Sequence, residues 1–189
     1  EPALLKGDAA LAWRFATAAG VPLEPFTAAT ALTGEVLVDA LLGTGITRPV
    51  TGSHAAAIAA INAAGIPILA VDIPSGLHAD TGAELGIAVR AQVTVTFIGR
   101  KLGLYTGRGP ALAGDIRFDR LDVPDAVYRD APAAELLNLA QLLHQLPPRA
   151  RDAHKGNFGH VMVIGGDRGF GGAALMAAEA AARASAATM

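Results

Sequence analysis

The chain of 189 residues contains no cysteine, and this absence excludes several kinds of chemistry. Without cysteine there is no disulfide framework, no thiolate zinc site and no cysteine nucleophile. Aromatic residues make up only 5% of the sequence, so its 52% hydrophobic content comes largely from alanine, a small residue that favours helices. A chain of this length and apolar content can build a full hydrophobic core, which excludes a disordered protein.

Charge is scarce as well, and neither sign dominates. Charged residues make up 17% of the chain, and 15 Lys and Arg against 17 Asp and Glu leave a net charge of −2. Because nucleic acid is bound through clustered Lys and Arg, this balance predicts no nucleic-acid partner. No apolar run reaches the roughly 18–20 residues of a membrane-spanning helix, and the first residues lack the pattern of a signal peptide. We expect no membrane partner and a cytoplasmic location.

Short apolar strands alternate with helical segments along the first part of the chain. Helices are predicted from Asp8 to Gly20 and from Ser53 to Gly65, with the polar residue as cap and the glycine as terminator. Residues 21–26 form either an edge strand or a loop. Apolar strands joined by helices predict an α/β fold with a parallel sheet covered on both faces. The predicted strands are 36–38, 66–71, 92–98 and, as a fourth candidate, 116–121.

The composition changes near Asp125, which predicts a boundary between two domains. Residues 124–132 have the polar, proline-bearing composition of a linker, and an amphipathic helix is predicted over 133–146. We therefore divide the chain into domains 1–130 and 131–189.

A second α/β unit is predicted to begin near the end of the chain. Residues 161–164 are predicted to be a buried strand, followed by a glycine-rich turn over 165–172 and a helix from Ala173. The first residue is not methionine and the last residues continue a helical pattern. We therefore expect both ends to extend further in a longer protein.

Two aspartates, Asp39 and Asp72, each follow directly on an apolar run, and about one βαβ unit separates them. In open parallel sheets ligands bind beyond the carboxyl ends of the strands, so both carboxylates are predicted at the same edge of the sheet. Two carboxylates there can hold a cation, or one of them can act as an acid or base. The alternative is that each aspartate caps a loop or the next helix.

The loop after Asp39 has the composition of a phosphate-binding loop. Gly43 and Gly45 let the backbone approach a ligand, and free N–H groups of such a loop can face phosphate oxygens. The hydroxyls of Thr44 and Thr47 and the guanidinium of Arg48 suit the same ligand. An ordinary turn with a solvated arginine is the alternative.

Ser75 lies in the turn that follows Asp72. Hard cations take oxygen ligands from carboxylates, hydroxyls and carbonyls, so Asp39 and Ser75 are candidate ligands of a cation, which leaves Asp72 for the substrate. The alternative is that Ser75 caps a turn. Other catalytic patterns are missing from the sequence: there is no P-loop, no dinucleotide fingerprint, no zinc helix motif and no convincing triad.

Three motifs in the first part of the chain resemble the NAD(P)H-hydrate epimerase family. They are VDALLGTG at 38–45, VDIPSG at 71–76 and FIGRKLGL at 97–104. Near the end, HKG at 154–156 and VIGG at 163–166, with a helix opening at Gly172, resemble the start of the ADP-dependent NAD(P)H-hydrate dehydratase family. The two families occur fused in this order in bifunctional NAD(P)H-hydrate repair enzymes.

The resemblance implies a Rossmann-like, three-layer epimerase domain followed by the first strand, turn and helix of a ribokinase-like domain. The epimerase interconverts the R and S forms of hydrated NADH or NADPH, and the dehydratase removes water from the S form using ADP or ATP. We expect a homo-oligomer that binds this hydrated coenzyme. The resemblance assigns potassium to Asp39 and Ser75, and substrate binding to Gly43, Thr44, Gly45, Ile46, Thr47, Arg48, Pro49, Asp72 and Ala173. We expect Asp72 to be the catalytic acid or base as well, because the reaction must move protons around the hydrated nicotinamide carbon.

The sequence also departs from both families. The Gly/Asn-rich loop of the epimerase family, which supplies a further potassium ligand, would precede this chain, and the ADP loop of the dehydratase family would follow it. His78 replaces a usual asparagine, and residues 183–187 replace a glycine-richer run. We therefore expect this chain alone to perform neither step well. A non-catalytic nucleotide-binding or protein-interaction module remains the alternative function.

Overall fold

The computed structural model describes residues 5–27, 29–128, 134–144, 150–157 and 159–186. Contacts between residues divide the chain into two compact units, Glu1–Ala134 and Glu135–Met189, which we describe separately.

A four-stranded sheet forms the centre of the first unit. All neighbouring strands run parallel, and their order in the sheet follows their order in the chain. This arrangement confirms the predicted α/β class. The strands are β1 (Leu37–Asp39), β2 (Ile68–Val71), β3 (Val93–Phe97) and β4 (Asp115–Asp119). All four strands predicted in this unit are therefore present with slightly different ends, and 21–26 is a loop.

Helices of the first unit begin earlier than predicted. The two long ones have Lys6 and Thr51 at the N-cap position without a side-chain cap hydrogen bond. Asp8 and Ser53 therefore lie inside the first helical turn, and their prediction as caps is wrong. Both helices begin at a glycine, one residue before the polar residue that was predicted as the cap. The helices are α1 (Gly7–Ala18), α2 (Gly52–Ala63) and α3 (Gly109–Leu112).

Only one face of the sheet is well covered by the described residues. Ile68, Ala70, Thr94 and Thr96 point to this face and are buried. On the opposite face Val38 is 62% exposed, so this face is less covered within the described part of the chain. The reason is that α2 and the two connections before and after β3 all pack against the buried face.

The second unit has less regular structure than predicted. Its described helices are α4 (Leu139–Leu143) and α5 (Gly172–Ala186). The predicted helix over 133–146 is reduced to α4, although 133, 145 and 146 lie outside the described residues. Residues 161–164 form no strand, and Val161 and Ile164 are exposed, which corrects the predicted buried strand. A strand needs a neighbour for its backbone hydrogen bonds, and none pairs with this segment among the described residues.

The helix after the glycine-rich turn is confirmed as α5. Among the described residues, no helix has both the length and the apolar character that crossing a bilayer requires.

Candidate functional site

The two aspartates follow neighbouring strands at the same edge of the sheet. Asp39 is the last residue of β1, Asp72 comes directly after β2, and β1 and β2 are adjacent and parallel. This confirms the placement expected from the sequence. No hydrogen bond joins the two carboxylates among the described residues, and each has its own set of partners.

The carboxylate of Asp39 is buried and hydrogen-bonded through both of its oxygens. The residue is only 1% exposed. Its Oδ2 accepts from the backbone N–H of Ser75 at 2.8 Å, and its Oδ1 accepts from the Ser75 hydroxyl at 2.6 Å and from the N–H of Leu41 at 3.3 Å. Asp39 therefore uses both oxygens to tie its own loop to the turn after β2.

Oxygen atoms converge around the hydroxyl of Ser75. Its Oγ lies 2.6 Å from Asp39 Oδ1 and 3.2 Å from the carbonyl oxygen of Leu42, and it also accepts from the N–H of Leu42 at 2.9 Å. Carboxylate, hydroxyl and carbonyl oxygens are the ligands of hard cations. The part of the chain that the structure describes has no cluster of three or more His, Cys, Asp or Glu for a metal. One carboxylate among neutral oxygens fits a singly charged ion better than a divalent one.

The turn that carries Ser75 is held by its backbone. The Ser75 carbonyl accepts from the N–H of Val89 at 2.9 Å. Gly76 has a φ of 93°, and a Cβ at this position would lie 2.0 Å from the carbonyl oxygen of Ile87. Only glycine fits there, so the close approach of two backbone segments fixes where the Ser75 hydroxyl points.

The glycine-rich loop borders a groove of about 690 Å³ beside the start of α2. A Cβ on Gly43 or Gly45 would meet no atom within 4 Å, which leaves room for a ligand at the backbone. Arg48 is exposed and forms no ion pair within the described part of the chain. The groove is lined by Leu42, Gly45, Ile46, Thr47, Arg48, Pro49, Val50, Thr51 and His54.

Four groove residues were not singled out as binding residues by the sequence, namely Leu42, Val50, Thr51 and His54. Thr51 is the N-cap residue of α2, and His54 lies in the first turn of this helix. His54 is exposed and faces the same groove as Arg48. The helix N-terminus adds partial positive charge, so the groove favours an anion.

The carboxylate of Asp72 is partly open and asymmetric. Its side chain is 27% exposed. Oδ1 accepts from the N–H of Phe97 at 3.1 Å and from the hydroxyl of Thr96 at 3.2 Å, and it forms an ion pair with Lys101. No described residue donates to Oδ2. One oxygen of Asp72 is thus fully engaged, and the other is free for a ligand.

Lys101 is the residue of this edge that reasoning from the residues missed. It stands in the third family motif, yet nothing in its local sequence marks it as a partner of Asp72, 29 positions away. Ala173, the remaining predicted substrate residue, is an exposed residue of the first turn of α5 in the second unit. Its predicted role stays a prediction.

These features define an α/β protein with a candidate ligand site beyond the carboxyl ends of a parallel sheet. Residues 1–103 match the family model described as YjeF-related protein N-terminus. The chain belongs to this family, whose fold is Rossmann-like.

Curated relatives agree with this assignment. The chain is 49% identical over 180 residues to the bifunctional NAD(P)H-hydrate repair enzyme Nnr of Coxiella burnetii, a match covering 95% of the chain and 37% of that protein. It is 42% identical over 152 residues to the enzyme of that name from Escherichia coli, covering 80% of the chain and 30% of the relative. It is 42% identical over 142 residues to the enzyme of that name from Thermofilum pendens, covering 75% of the chain and 26% of the relative. The chain spans about a third of the length of these relatives.

Proposed function

We propose that the first unit carries the epimerase site of an NAD(P)H-hydrate repair enzyme, which interconverts the R and S forms of hydrated NADH and NADPH. The observation that carries this proposal is the pair of bonds between Asp39 and Ser75. They join the glycine-rich loop to the turn that follows Asp72. A phosphate-binding loop, a set of cation ligands and a candidate acid–base group therefore share one edge of the sheet.

The groove beside α2 suits the phosphate-bearing part of the coenzyme. Gly43 and Gly45 leave the backbone of the loop open, Thr47 and Arg48 supply donors to phosphate oxygens, and the N-terminus of α2 favours negative charge. In this proposal Gly43, Thr44, Gly45, Ile46, Thr47, Arg48 and Pro49 bind the substrate.

Asp72 is the acid–base residue of the proposal. Epimerisation has to break and re-form a bond at the hydrated nicotinamide carbon, and a proton leaves and returns at its hydroxyl group in the process. The free Oδ2 of Asp72 is the oxygen that can accept and donate this proton, because Oδ1 is already engaged by three donors. The partial exposure of the side chain leaves a path for the ring to reach it.

Potassium is the cation of the proposal, with Asp39 and Ser75 as ligands and the carbonyl oxygen of Leu42 close by. The oxygen set around Ser75 fits such an ion. When bound, the ion supplies positive charge beside the loop that takes the substrate. The chain's own residues hold the glycine-rich loop, because the Ser75 hydroxyl oxygen accepts a hydrogen bond from the N–H of Leu42.

The second unit is proposed to belong to the ADP-dependent dehydratase of the same repair pathway, with a ribokinase-like fold, ADP or ATP as co-substrate and Ala173 in contact with the hydrated coenzyme. The names of the relatives, which are bifunctional repair enzymes, support this part. A homo-oligomer located in the cytoplasm completes the proposal.

The acid–base role is tested by Asp72→Asn in the protein at its full natural length. The asparagine keeps the acceptor at Oδ1 but cannot accept a proton, so we expect the rate of R–S interconversion of hydrated NADH, followed by chromatography, to fall by about 10²–10⁴-fold. The matched control is Asp80→Asn, because Asp80 is an exposed loop acid outside the site, and it should retain the wild-type rate.

Two results would contradict the proposal. If Asp72→Asn epimerises at the wild-type rate, Asp72 is not the acid–base residue. If the wild-type protein binds hydrated NADH without interconverting its forms, the chain is part of a binding module and not of an epimerase.

The cation is tested by exchanging potassium for tetramethylammonium, which is too large for the oxygen cluster. We expect weaker binding of hydrated NADH without potassium, measured by calorimetry, and no dependence on potassium in Asp39→Asn. A wild-type potassium response in this variant would remove Asp39 from the ligand set.

A further inference from the structure

Strands β2 and β3 end in the same unusual backbone conformation. Asp72 and Ile98 have φ values of 69° and 61°, a region that non-glycine residues rarely adopt. In each case a backbone hydrogen bond joins the residue after the central one to the residue before it. The N–H of Ile73 donates to the carbonyl of Val71, and the N–H of Gly99 donates to the carbonyl of Phe97. These are γ-turns of the strained type with a positive φ.

The two turns bring Asp72 and Lys101 together. The turn at Asp72 directs its carboxylate across to the end of β3, where Oδ1 meets the N–H of Phe97 and the hydroxyl of Thr96. The turn at Ile98 reverses the chain so that Lys101 returns to the same place. Lys101 Nζ pairs with Asp72 Oδ1 and donates to the Phe97 carbonyl at 2.9 Å.

Stability alone does not explain this arrangement. The side chain of Lys101 is only 16% exposed, so its ammonium group has lost much of its water. Partly buried ion pairs contribute little net stability because desolvation offsets their attraction. Strain at two neighbouring positions opposes folding as well. Strained backbone persists where the surrounding structure enforces it, and it concentrates at functional sites.

We propose that Lys101 is a positioning residue for Asp72, and this inference rests on the proposed role of Asp72 in epimerisation. Lys101 occupies Oδ1 with a cation and locks the carboxylate plane, so that Oδ2 alone is presented to the substrate. Phe97 and Thr96 complete the set of donors that hold Oδ1 in place. Lys101 itself does not touch the reacting carbon.

The test compares kcat and KM of epimerisation for Lys101→Met, Lys101→Gln and Lys101→Arg in the full-length protein. We expect Lys101→Met to lower kcat by about 10–100-fold while KM changes less than about threefold, because the carboxylate is misdirected and the binding groove is untouched. Lys101→Arg should retain most of the wild-type kcat. Lys101→Gln keeps a donor for the Phe97 carbonyl, so it reports on the charge even if Lys101→Met fails to fold.

The matched control is Arg100→Met. Arg100 is the neighbouring cation, but its guanidinium lies 5.1 Å from the Phe118 ring and forms no ion pair with Asp72. We expect Arg100→Met to keep kcat within about twofold. A loss of kcat in this control equal to that of Lys101→Met would overturn the positioning role.

A double variant separates this inference from the proposed function. In an Asp72→Asn background, Lys101→Met should produce no further loss of kcat, since the two residues act as one unit. Losses that multiply would show that Lys101 acts without Asp72, which overturns the inference. If Asp72→Asn alone leaves kcat unchanged, the proposed function fails instead. A Lys101→Met effect confined to KM would make Lys101 a substrate-binding residue, which also contradicts the proposal.

Discussion

The ends of β1 and β2 are built from similar residues in opposite ways. After β1 the carboxylate of Asp39 is buried, and the loop that follows it is largely exposed. After β2 the carboxylate of Asp72 is partly open, and the turn over 73–77 is buried. Asp39 uses both oxygens inside the protein, whereas Asp72 keeps one free. The comparison teaches that the surroundings of an aspartate at a strand end, and not its position alone, decide whether its carboxylate holds a loop or stays open to a ligand.

The largest expected effect on stability comes from a substitution that disrupts the buried turn. Gly76→Ala places a Cβ 2.0 Å from the carbonyl oxygen of Ile87 at a φ of 93°, so the free energy of unfolding should fall by more than about 4 kcal/mol. Gly43→Ala in the exposed loop is the matched control, and it should change stability by less than about 0.5 kcal/mol. Urea denaturation measures both. Equal losses in the two variants would contradict the contrast between the turn and the loop.

The next largest effect on stability is expected when Asp39 and Asp72 are each replaced by asparagine. Asp39→Asn turns an NH₂ group toward a buried donor of Ser75 or Leu41, so we expect a loss of about 3 kcal/mol in unfolding free energy. Asp72→Asn keeps its acceptor at Oδ1 and directs the NH₂ group to solvent, so the loss should be about 1 kcal/mol. Denaturant titration of both variants checks the order. A larger loss for Asp72→Asn would reverse the roles assigned here.

The smallest effect concerns the strained turn after β3. Ile98→Asn introduces a residue that tolerates a positive φ, and Ile98 is 44% exposed, so little packing is lost. We expect the free energy of unfolding to rise by about 1 kcal/mol. Ile98→Val retains the β-branched side chain and should leave stability nearly unchanged. A thermal melt that shows destabilisation by Ile98→Asn would argue against strain at this position.

The fold and part of the site follow from the sequence by general rules. Apolar runs separated by helical segments predicted the parallel sheet, and the rule for carboxyl ends of parallel strands placed Asp39 and Asp72 at one edge. The predicted pairing of Asp39 with Ser75 as a ligand set agrees with their hydrogen bonds, although the presence of a cation stays a prediction. These features are predictable because they depend on strand order, which the pattern of hydrophobicity reveals.

Other features depend on tertiary context and could not be predicted. The ion pair of Lys101 with Asp72 requires a reversal at Ile98, and isoleucine is among the least suited residues for a positive φ. The helices begin at Gly7 and Gly52, although the residues that follow each glycine are better capping residues. The apolar run over 161–164 has the composition of a strand, but composition does not supply a partner strand.

The connection between β2 and β3 contains no helix, yet much of it is as deeply buried as the strands that it joins. Irregular segments usually lie on the surface and absorb insertions and deletions easily. Here an added residue would separate Ser75 from Val89 or force Gly76 away from Ile87. The length of this connection is therefore as constrained as its composition, and a shift of register within it would disconnect the two strand ends at once.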